Sequence, residues 1–473
     1  MKGTENLIFE ANSHETFREE AHKLVDLIAD HLKMSHSEGL QKTIGRIPPE
    51  EQLGFWREDF KSKEPMDLQD FWSKVFSRSI NVHSRGYLGH QISVPLPLTA
   101  LTSAAIGYMN NSTTVYELAM VGNTMEKVII EHLAGKFGYD GDSEGFVTSG
   151  GSLGNLTALL KARSSSGIDS KDYSRLAIMV SEEAHYSVER AASILGVSRE
   201  NIVKVPSDES FRIRTDLLEG IYSEAVSAGK LVFCVVGCAC TTSVGAYDDL
   251  AAIADFARTH GIWFHVDGAH GGVAVFSDKY RHYLDGIEHS DSLVLDFHKM
   301  MLVPSISTAV IFNARNRGAN AFSPKADYLW QAGGAGAWYD SAKHTLECTK
   351  PISVLHAYAI MRVYGEEIYR QHVDKLYDLG RSFADMVKGQ AGMELAVEPS
   401  CNIVCFRCLS GAGEDGDDRL NKRIYEELLE EGLFYIVSTT IRGRFYLRVS
   451  LMNPMTDAET LEELLKDIVK RTV

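Results

Sequence analysis

The sequence predicts an α/β protein built on a mostly parallel sheet covered by helices, followed by a smaller C-terminal α+β domain. Three observations predict this class. Short apolar runs alternate with amphipathic stretches of about 10–15 residues, as in repeated strand–helix–strand units. Those runs are nearly unbroken in apolar character, as strands buried on both faces require. Polar motifs then follow the runs directly, at the strand ends where open parallel sheets bind ligands.

Composition sets the outer limits. The chain has 473 residues, 44% of them hydrophobic, which is more than one small core needs. Gly outnumbers Pro, 39 to 11, which suits many tight strand-to-helix turns. A formal net charge of -16 speaks against a nucleic-acid surface, which needs clustered Lys and Arg. The first residues, MKGTENLIFEANSHETF, lack the apolar core of a signal peptide. No apolar run reaches the length of about 18 residues expected of a membrane span, so a cytoplasmic protein without membrane partners is expected. Cys234, Cys238 and Cys240 lie in one apolar run and read as buried thiols of a reducing compartment. Those three contain no CxxC pair, and Cys405/Cys408 has only one distant companion pair, so spacing gives no metal site.

Taken in order, residues 14–35 place Leu24, Val25, Leu27, Ile28 and Leu32 on one helical face. Gly45 and Pro48-Pro49 then break helix. Residues 1–80 are read as a helical arm that packs on the main body or on a partner subunit. Residues 81–350 form the large domain. In it LAIMVSEEAHYS, LVFCVVGCACTTS, GIWFHVDGAHGG, SLVLDFHKM and TAVIFN are strands ending in turns, with helices such as DDLAAIADFARTHG between them. Residues 351–473 form the small domain: a long helical stretch, strand NIVCFRCL, a polar loop SGAGEDGDD, a helix, strand FYLRVSL and a last helix.

Three motifs carry chemistry. In GFVTSGGSLGNLTALLKAR (145–163) a strand enters a Ser/Gly turn and then a helix. Free amides and the positive end of the helix dipole suit a phosphate there, although a Ser/Gly turn capping a helix is also structurally ordinary. In HVDGAHGG (265–272) Asp267 ends a hydrophobic strand, a costly place for a carboxylate unless a cation meets it. A protonated pyridine nitrogen would meet it, and so would a structural ion pair. In SLVLDFHKMMLVPS (292–305) Lys299 follows a strand among Met300, Met301 and Leu302. Apolar surroundings are expected to lower its pKa, as an amine nucleophile toward an aldehyde requires. A lone strand-end lysine is otherwise unremarkable.

In order and spacing these elements resemble the group II pyridoxal-phosphate-dependent amino-acid decarboxylases. The likeness runs from about residue 80 to the end, through SGGSLGN, EEAHYS, CTTSVGAYD, HVDGAHGG, the His298-Lys299 pair, TLECTK, NIVCFR and LRVSLMNPMT. It implies a fold-type-I enzyme with pyridoxal 5'-phosphate as cofactor and a homodimer with the active site at its interface. It also implies that Lys299 forms the Schiff base with the cofactor, Asp267 pairs with the pyridine nitrogen, and His185 and Ala269 flank the ring. Gly151 and Ser152 hold the phosphate, Thr242 lies near the ring substituents and His298 near the lysine. Arg448 pairs with the substrate α-carboxylate, and Gln91 lies near its side chain.

The glutamate-type branch is the nearest in local detail, through Gln91, VYE (115–117) and YDSAKHTLECTK (339–350), and points to a small substrate with an acidic, short polar or diamino side chain. Several positions depart from the family: Ser84 stands for a proline, Cys240 for a glycine, Gly268 for an alanine and Lys350 for an arginine. Where that branch carries a protonating tyrosine, this chain reads QAGGAGAW, whose Gly333, Gly334 and Gly336 favour a flexible lid. Tyr339 then either supplies the acid or matches the next, structural tyrosine. Without an acid at the α-carbon, protonation at the cofactor would divert decarboxylation into transamination. The same-fold rivals are a carbon–carbon lyase and a decarboxylating oxidative deaminase. The rival of another class is a catalytically silent binding protein on this scaffold.

Overall fold

The computed structural model describes residues 7–37, 39–62, 64–313 and 338–472. The QAGGAGA segment and its glycines lie outside the described residues. Contacts divide the chain into two compact units: Gln91–Ala384 with Val397–Val404, and Met1–His90 with Asp385–Ala396 and Cys405–Val473.

The larger unit holds a seven-stranded sheet. In chain order its strands are β1 (Glu144–Thr148), β2 (Leu176–Ser181), β3 (Ile202–Val205), β4 (Leu231–Cys238), β5 (Trp263–Asp267), β6 (Ser292–Asp296) and β7 (Thr308–Phe312). Across the sheet they run β1-β7-β6-β5-β4-β2-β3. All share one direction except β7, which pairs antiparallel with both β1 and β6. The five strands expected from apolar runs are present as β2 and β4–β7. Every residue of β2, β5, β6 and β7 is buried. The strand before the Ser/Gly turn is β1, and its Phe146 packs with Ala158, Leu159, Ile178, Val294 and Val310 in one apolar cluster. Cys234, Cys238 and Cys240 are buried free thiols, as their apolar run implies. The expected DDLAAIADFARTHG helix spans Leu250–His260, capped by the Asp249 side chain and closed by Gly261 at φ +61°.

The long stretch after 350 is two helices, Val354–Tyr364 and Glu367–Gly389, parted at Gly365, whose φ of +75° a helix cannot take. The first of these and most of the second belong to the larger unit.

In the smaller unit the arm forms a helix over His14–Ser35, and the Pro48-Pro49 break is the start of another, Pro49–Lys61, with Pro at its first turn. A four-stranded sheet has the order β10-β11-β9-β8, with β8 at Met393–Leu395, β9 at Ile403–Cys408, β10 at Val437–Ile441 and β11 at Arg444–Ser450. The expected loop SGAGEDGDD is shorter than its composition suggests. A helix begins at Glu414, where Glu414, Asp415 and Asp417 form an acidic first turn that favours the helix dipole.

Candidate active site

Of the expected site residues in the larger unit, Gly151, Ser152, His185, Thr242, Asp267, Ala269, His298 and Lys299 lie at the carboxyl ends of β1, β2, β4, β5 and β6, whereas Gln91 and Tyr339 follow none of these strands. Asp267 ends β5 and is buried. Its Oδ2 accepts from Asn155 Nδ2 at 3.0 Å, and its Oδ1 from the Ala269 amide at 3.3 Å. Among the described residues no cation pairs with it. A buried carboxylate met only by neutral donors has an unfilled electrostatic need. A protonated pyridine nitrogen would meet that need, so this donor set fits the cofactor.

Asn155 lies one turn into the helix Gly151–Ser165 and ties the site together. Its Nδ2 also donates to Ser187 Oγ at 3.0 Å, while its Oδ1 is 3.0 Å from His265 Nε2. The amide oxygen can only accept, so His265 carries its proton on Nε2. His265 Nδ1 then accepts from Ser292 Oγ at 2.9 Å, and that oxygen accepts from Trp263 Nε1 at 2.9 Å. Ser187 in turn meets His185 Nδ1 at 2.7 Å by its hydroxyl and at 3.3 Å by its amide. That amide makes Nδ1 the acceptor. The His185 ring, which caps the helix Tyr186–Ile194, is therefore held in one orientation. Burial lowers the pKa of His185, with Lys299 adding to the effect and Asp267 opposing it.

Burial pushes His265 down to about 4, against the opposing charge of Asp267. From its ordinary value near 6.5 down to about 4, the unfolded chain takes up a proton here that the folded chain refuses. Stability should therefore fall with pH across that window, by at most about 1.4 kcal/mol per pH unit from this group. Urea unfolding at pH 7 and pH 5 should show a smaller difference for His265→Gln than for the native chain. An equal difference would mean that this histidine does not set the slope.

Lys299 sits on the turn Phe297–Met300 after β6. Its Nζ is 3.0 Å from Asp296 Oδ2, and the His298 ring is 3.7 Å from the same oxygen. Thr308 Oγ1 donates to Asp296 Oδ1 at 2.5 Å. The expected lowering of the Lys299 pKa is not what this arrangement produces. Burial does oppose the charge, but Asp296 and Asp267 together outweigh it and raise the pKa. The apolar neighbours Met300, Met301 and Leu302 are present and buried, yet a carboxylate one turn back decides the sign. His298 is fixed by Ser307, whose amide donates to Nδ1 at 3.2 Å.

Gly151 opens its helix beside Asp296, and a Cβ there would lie 3.1 Å from both carboxylate oxygens. Ser152 is exposed in the first turn. Thr148 and Ser149 hydroxyls donate to Glu347 at 2.6 and 2.5 Å. Ala269 is buried and Thr242 half-buried. Ser243, next to Thr242, donates to Glu183 at 3.0 Å, which ties the turn after β4 to the His185 segment. An alanine Cβ at Gly268 would lie 2.9 Å from the Val294 carbonyl, which gives that departure a steric reason. Gln91 Nε2 is buried without a hydrogen-bond partner. Tyr339 is 37% exposed, packs edge-on to Tyr116 at 5.5 Å, and receives Asn123 Nδ2 on its carbonyl at 2.6 Å. Arg448 belongs to the smaller unit, buried on β11 opposite Val437 of β10.

Asp296 and Asn155 were missed by sequence reasoning. Asp296 ends its apolar strand just as Asp267 does, so the same criterion applied to VLD would have found it. Asn155 carries no such signal, being one polar residue on a helix.

A lysine, two strand-end carboxylates, a fixed imidazole and a glycine-opened helix lie together there, a set that would suit an aldehyde cofactor. Comparison with known proteins gives the class: a pyridoxal-phosphate-dependent carboxy-lyase. The chain belongs to the family of the pyridoxal-dependent decarboxylase conserved domain, whose model matches residues 98–409. It is 29% identical over 438 residues to L-2,4-diaminobutyrate decarboxylase of Acinetobacter baumannii, covering 86% of this chain and 84% of that one. It is 31% identical over 451 residues to cysteine sulfinic acid decarboxylase of Mus musculus, covering 88% and 90%. The crystal structure of mouse CSAD shares the fold at a TM-score of 0.88 and 22% identity, over 97% of this chain and 99% of that one.

Proposed function

We propose that this amino-acid decarboxylase acts on a small L-amino acid with an acidic side chain, releasing the amine and CO2. The observation that carries the substrate class is Gln91. Its segment is anchored beside the lysine turn, since the Ser93 amide donates to the His298 carbonyl at 2.9 Å. Its buried Nε2 is a donor with nothing to donate to, a costly state that a substrate carboxylate or sulfinate would relieve.

In this reading Lys299 is the amine that holds the cofactor aldehyde, and Gly151 and Ser152 hold its phosphate. When bound, pyridoxal phosphate supplies an electron-accepting ring that lets the α-carboxylate leave as CO2. Asp267 keeps its charge facing the ring nitrogen, and Asn155 orients it. The Ser187 bonds hold the His185 ring as one wall, with Ala269 as the other. Asp296 favours the protonated form of the free Lys299 amine. Several relatives of this chain act on short substrates with a second polar group, by their names, which agrees with a small polar substrate. We also read the protein as a cytoplasmic homodimer. The buried free thiols support a reducing compartment, and Leu7, Ile8, Phe9 and Phe17, all exposed, support a partner for the arm.

The test is product analysis by mass spectrometry with cofactor-loaded protein. The panel is aspartate, glutamate, cysteine sulfinate, 2,4-diaminobutyrate and aromatic amino acids. An amine from an acidic member is expected, and Gln91→Ala should raise its KM about tenfold while kcat changes little. Turnover of aromatic substrates alone, or a Gln91→Ala enzyme with unchanged KM, would sink the substrate class. An aldehyde product would redirect the reaction to oxidative deamination. Light scattering at half the expected dimer mass would remove the homodimer.

A further inference from the structure

Cys240, His270 and Cys401 meet in the interior of the larger unit, although 161 positions separate the two cysteines. All three are buried, and their two sulfurs and a His270 ring nitrogen lie within 4.8 Å of one another. Cys240 follows β4, His270 follows β5, and Cys401 comes from the short 397–404 segment of the same unit.

The geometry points to a binding site for a thiophilic metal ion, zinc by preference, held by Cys240, His270 and Cys401. The sulfurs are 3.9 Å apart. Two Zn–S bonds of about 2.3 Å at the tetrahedral angle place their sulfurs roughly 3.8 Å apart. The imidazole is already set up as a ligand. Its Nε2 lies 2.8 Å from Asn402 Oδ1, so Nε2 carries the proton and Nδ1 keeps its lone pair. That Nδ1 is buried with no hydrogen-bond partner outside the cluster. An outer partner that fixes the tautomer in this way is the usual support of a metal-binding histidine. The local backbone also makes room for the sulfur. A Cβ at Gly245, where φ is +78°, would lie 2.3 Å from Cys401 Sγ.

A disulfide is the competing use of the two cysteines. It would bring the sulfurs to about 2.05 Å and leave the His270 nitrogen unpartnered. A metal ion uses all three groups. Two thiolates, one neutral imidazole and a divalent cation also sum to zero charge, which suits a buried site. Binding releases the two thiol protons to solvent and changes no oxidation state. His270 follows Ala269 and lies three residues beyond Asp267, so a bound ion would brace the turn that carries both.

The test uses tag-free, cofactor-loaded protein kept in reductant, incubated with zinc chloride, desalted and assayed by elemental mass spectrometry. About one ion per chain is expected, with a thiolate-to-metal charge-transfer band when cobalt replaces zinc. Cys240→Ser, Cys401→Ser and His270→Gln should each lower retained zinc about tenfold or more, and Asn402→Ala should weaken binding about 10- to 100-fold. Cys234→Ser, a buried thiol outside the cluster, should retain zinc, and His270→Cys should keep a three-ligand site. No retained zinc in the native chain would overturn the proposal, as would the same zinc content in all three ligand variants. So would a Cys240–Cys401 disulfide found by unreduced peptide mapping of the zinc-treated protein. The native cobalt spectrum and the His270→Cys variant keep the test decisive if a serine variant fails to fold.

Discussion

Lys299→Ala should lower kcat/KM on the order of 10⁴-fold or more, because the amine that holds the cofactor is a covalent participant with no substitute. Lys299→Arg should be as inactive. It keeps the charge beside Asp296 but offers a guanidinium that stays protonated and cannot serve as the amine. Both variants should lose the visible absorbance of the cofactor-loaded protein. Borohydride reduction followed by peptide mapping should place the native cofactor label on Lys299, and a label on any other lysine would refute the assignment. Loss of activity should not reflect loss of fold. Asp296 keeps the Thr308 hydroxyl at 2.5 Å and the His298 ring at 3.7 Å after the ammonium is gone. Thermal unfolding of both variants checks that point.

The second large effect concerns stability. Lys350, where the resemblance leads one to expect an arginine, has a side chain that is 6% exposed. Its Nζ donates to both oxygens of Glu126 at 3.1 and 3.0 Å and also to the Val147 carbonyl. The pair joins the helix Met120–Lys136 to the carboxyl end of β1, with the Phe146 ring 5.4 Å from the ammonium. Glu126→Ala would leave that ammonium buried with only a carbonyl. A cost of about 3–5 kcal/mol is expected, as for other broken buried pairs. The double variant Glu126→Leu/Lys350→Met should recover most of it, because an apolar pair has no desolvation to repay. Guanidinium unfolding of the two variants measures this. Equal destabilisation in both would mean that packing, not the orphaned charge, is what the site protects.

What was legible in the sequence follows from what is local. Buried parallel strands are continuous apolar runs, and ligand-facing residues come directly after them. Asp267 and Lys299 could therefore be placed at strand ends from the local pattern, whereas His185 and Gly151 stood out only through the resemblance of their segments to the family. Strands β8 and β10 were not legible, since β8 is three half-buried residues and β10 mixes buried and exposed positions. EDGDD reads as loop by composition, yet its acids form a first helical turn. The sign of the Lys299 pKa could not be read either. It depends on a contact between Asp296 and the ammonium, and the apolar neighbours dominate the local pattern. Asn155 and the Cys240, His270 and Cys401 cluster show the same limit more strongly. Their partners are remote in sequence, and no spacing rule spans such distances.

The reversed strand β7 has a consequence for how the site is assembled during folding. Because β7 runs against β6, the lysine turn is simply the connection of a hairpin, closed by the Phe297 amide on the Ser307 carbonyl at 2.9 Å. Short loops close at little entropic cost, so this piece can form early and locally. β1, with the glycine turn behind it, must instead dock on β7 from far away in sequence, Thr148 against Thr308. Nascent chains would thus acquire the lysine turn before its edge of the sheet is complete, and the late pairing of β1 with β7 would limit the rate at which the protein becomes able to hold its cofactor.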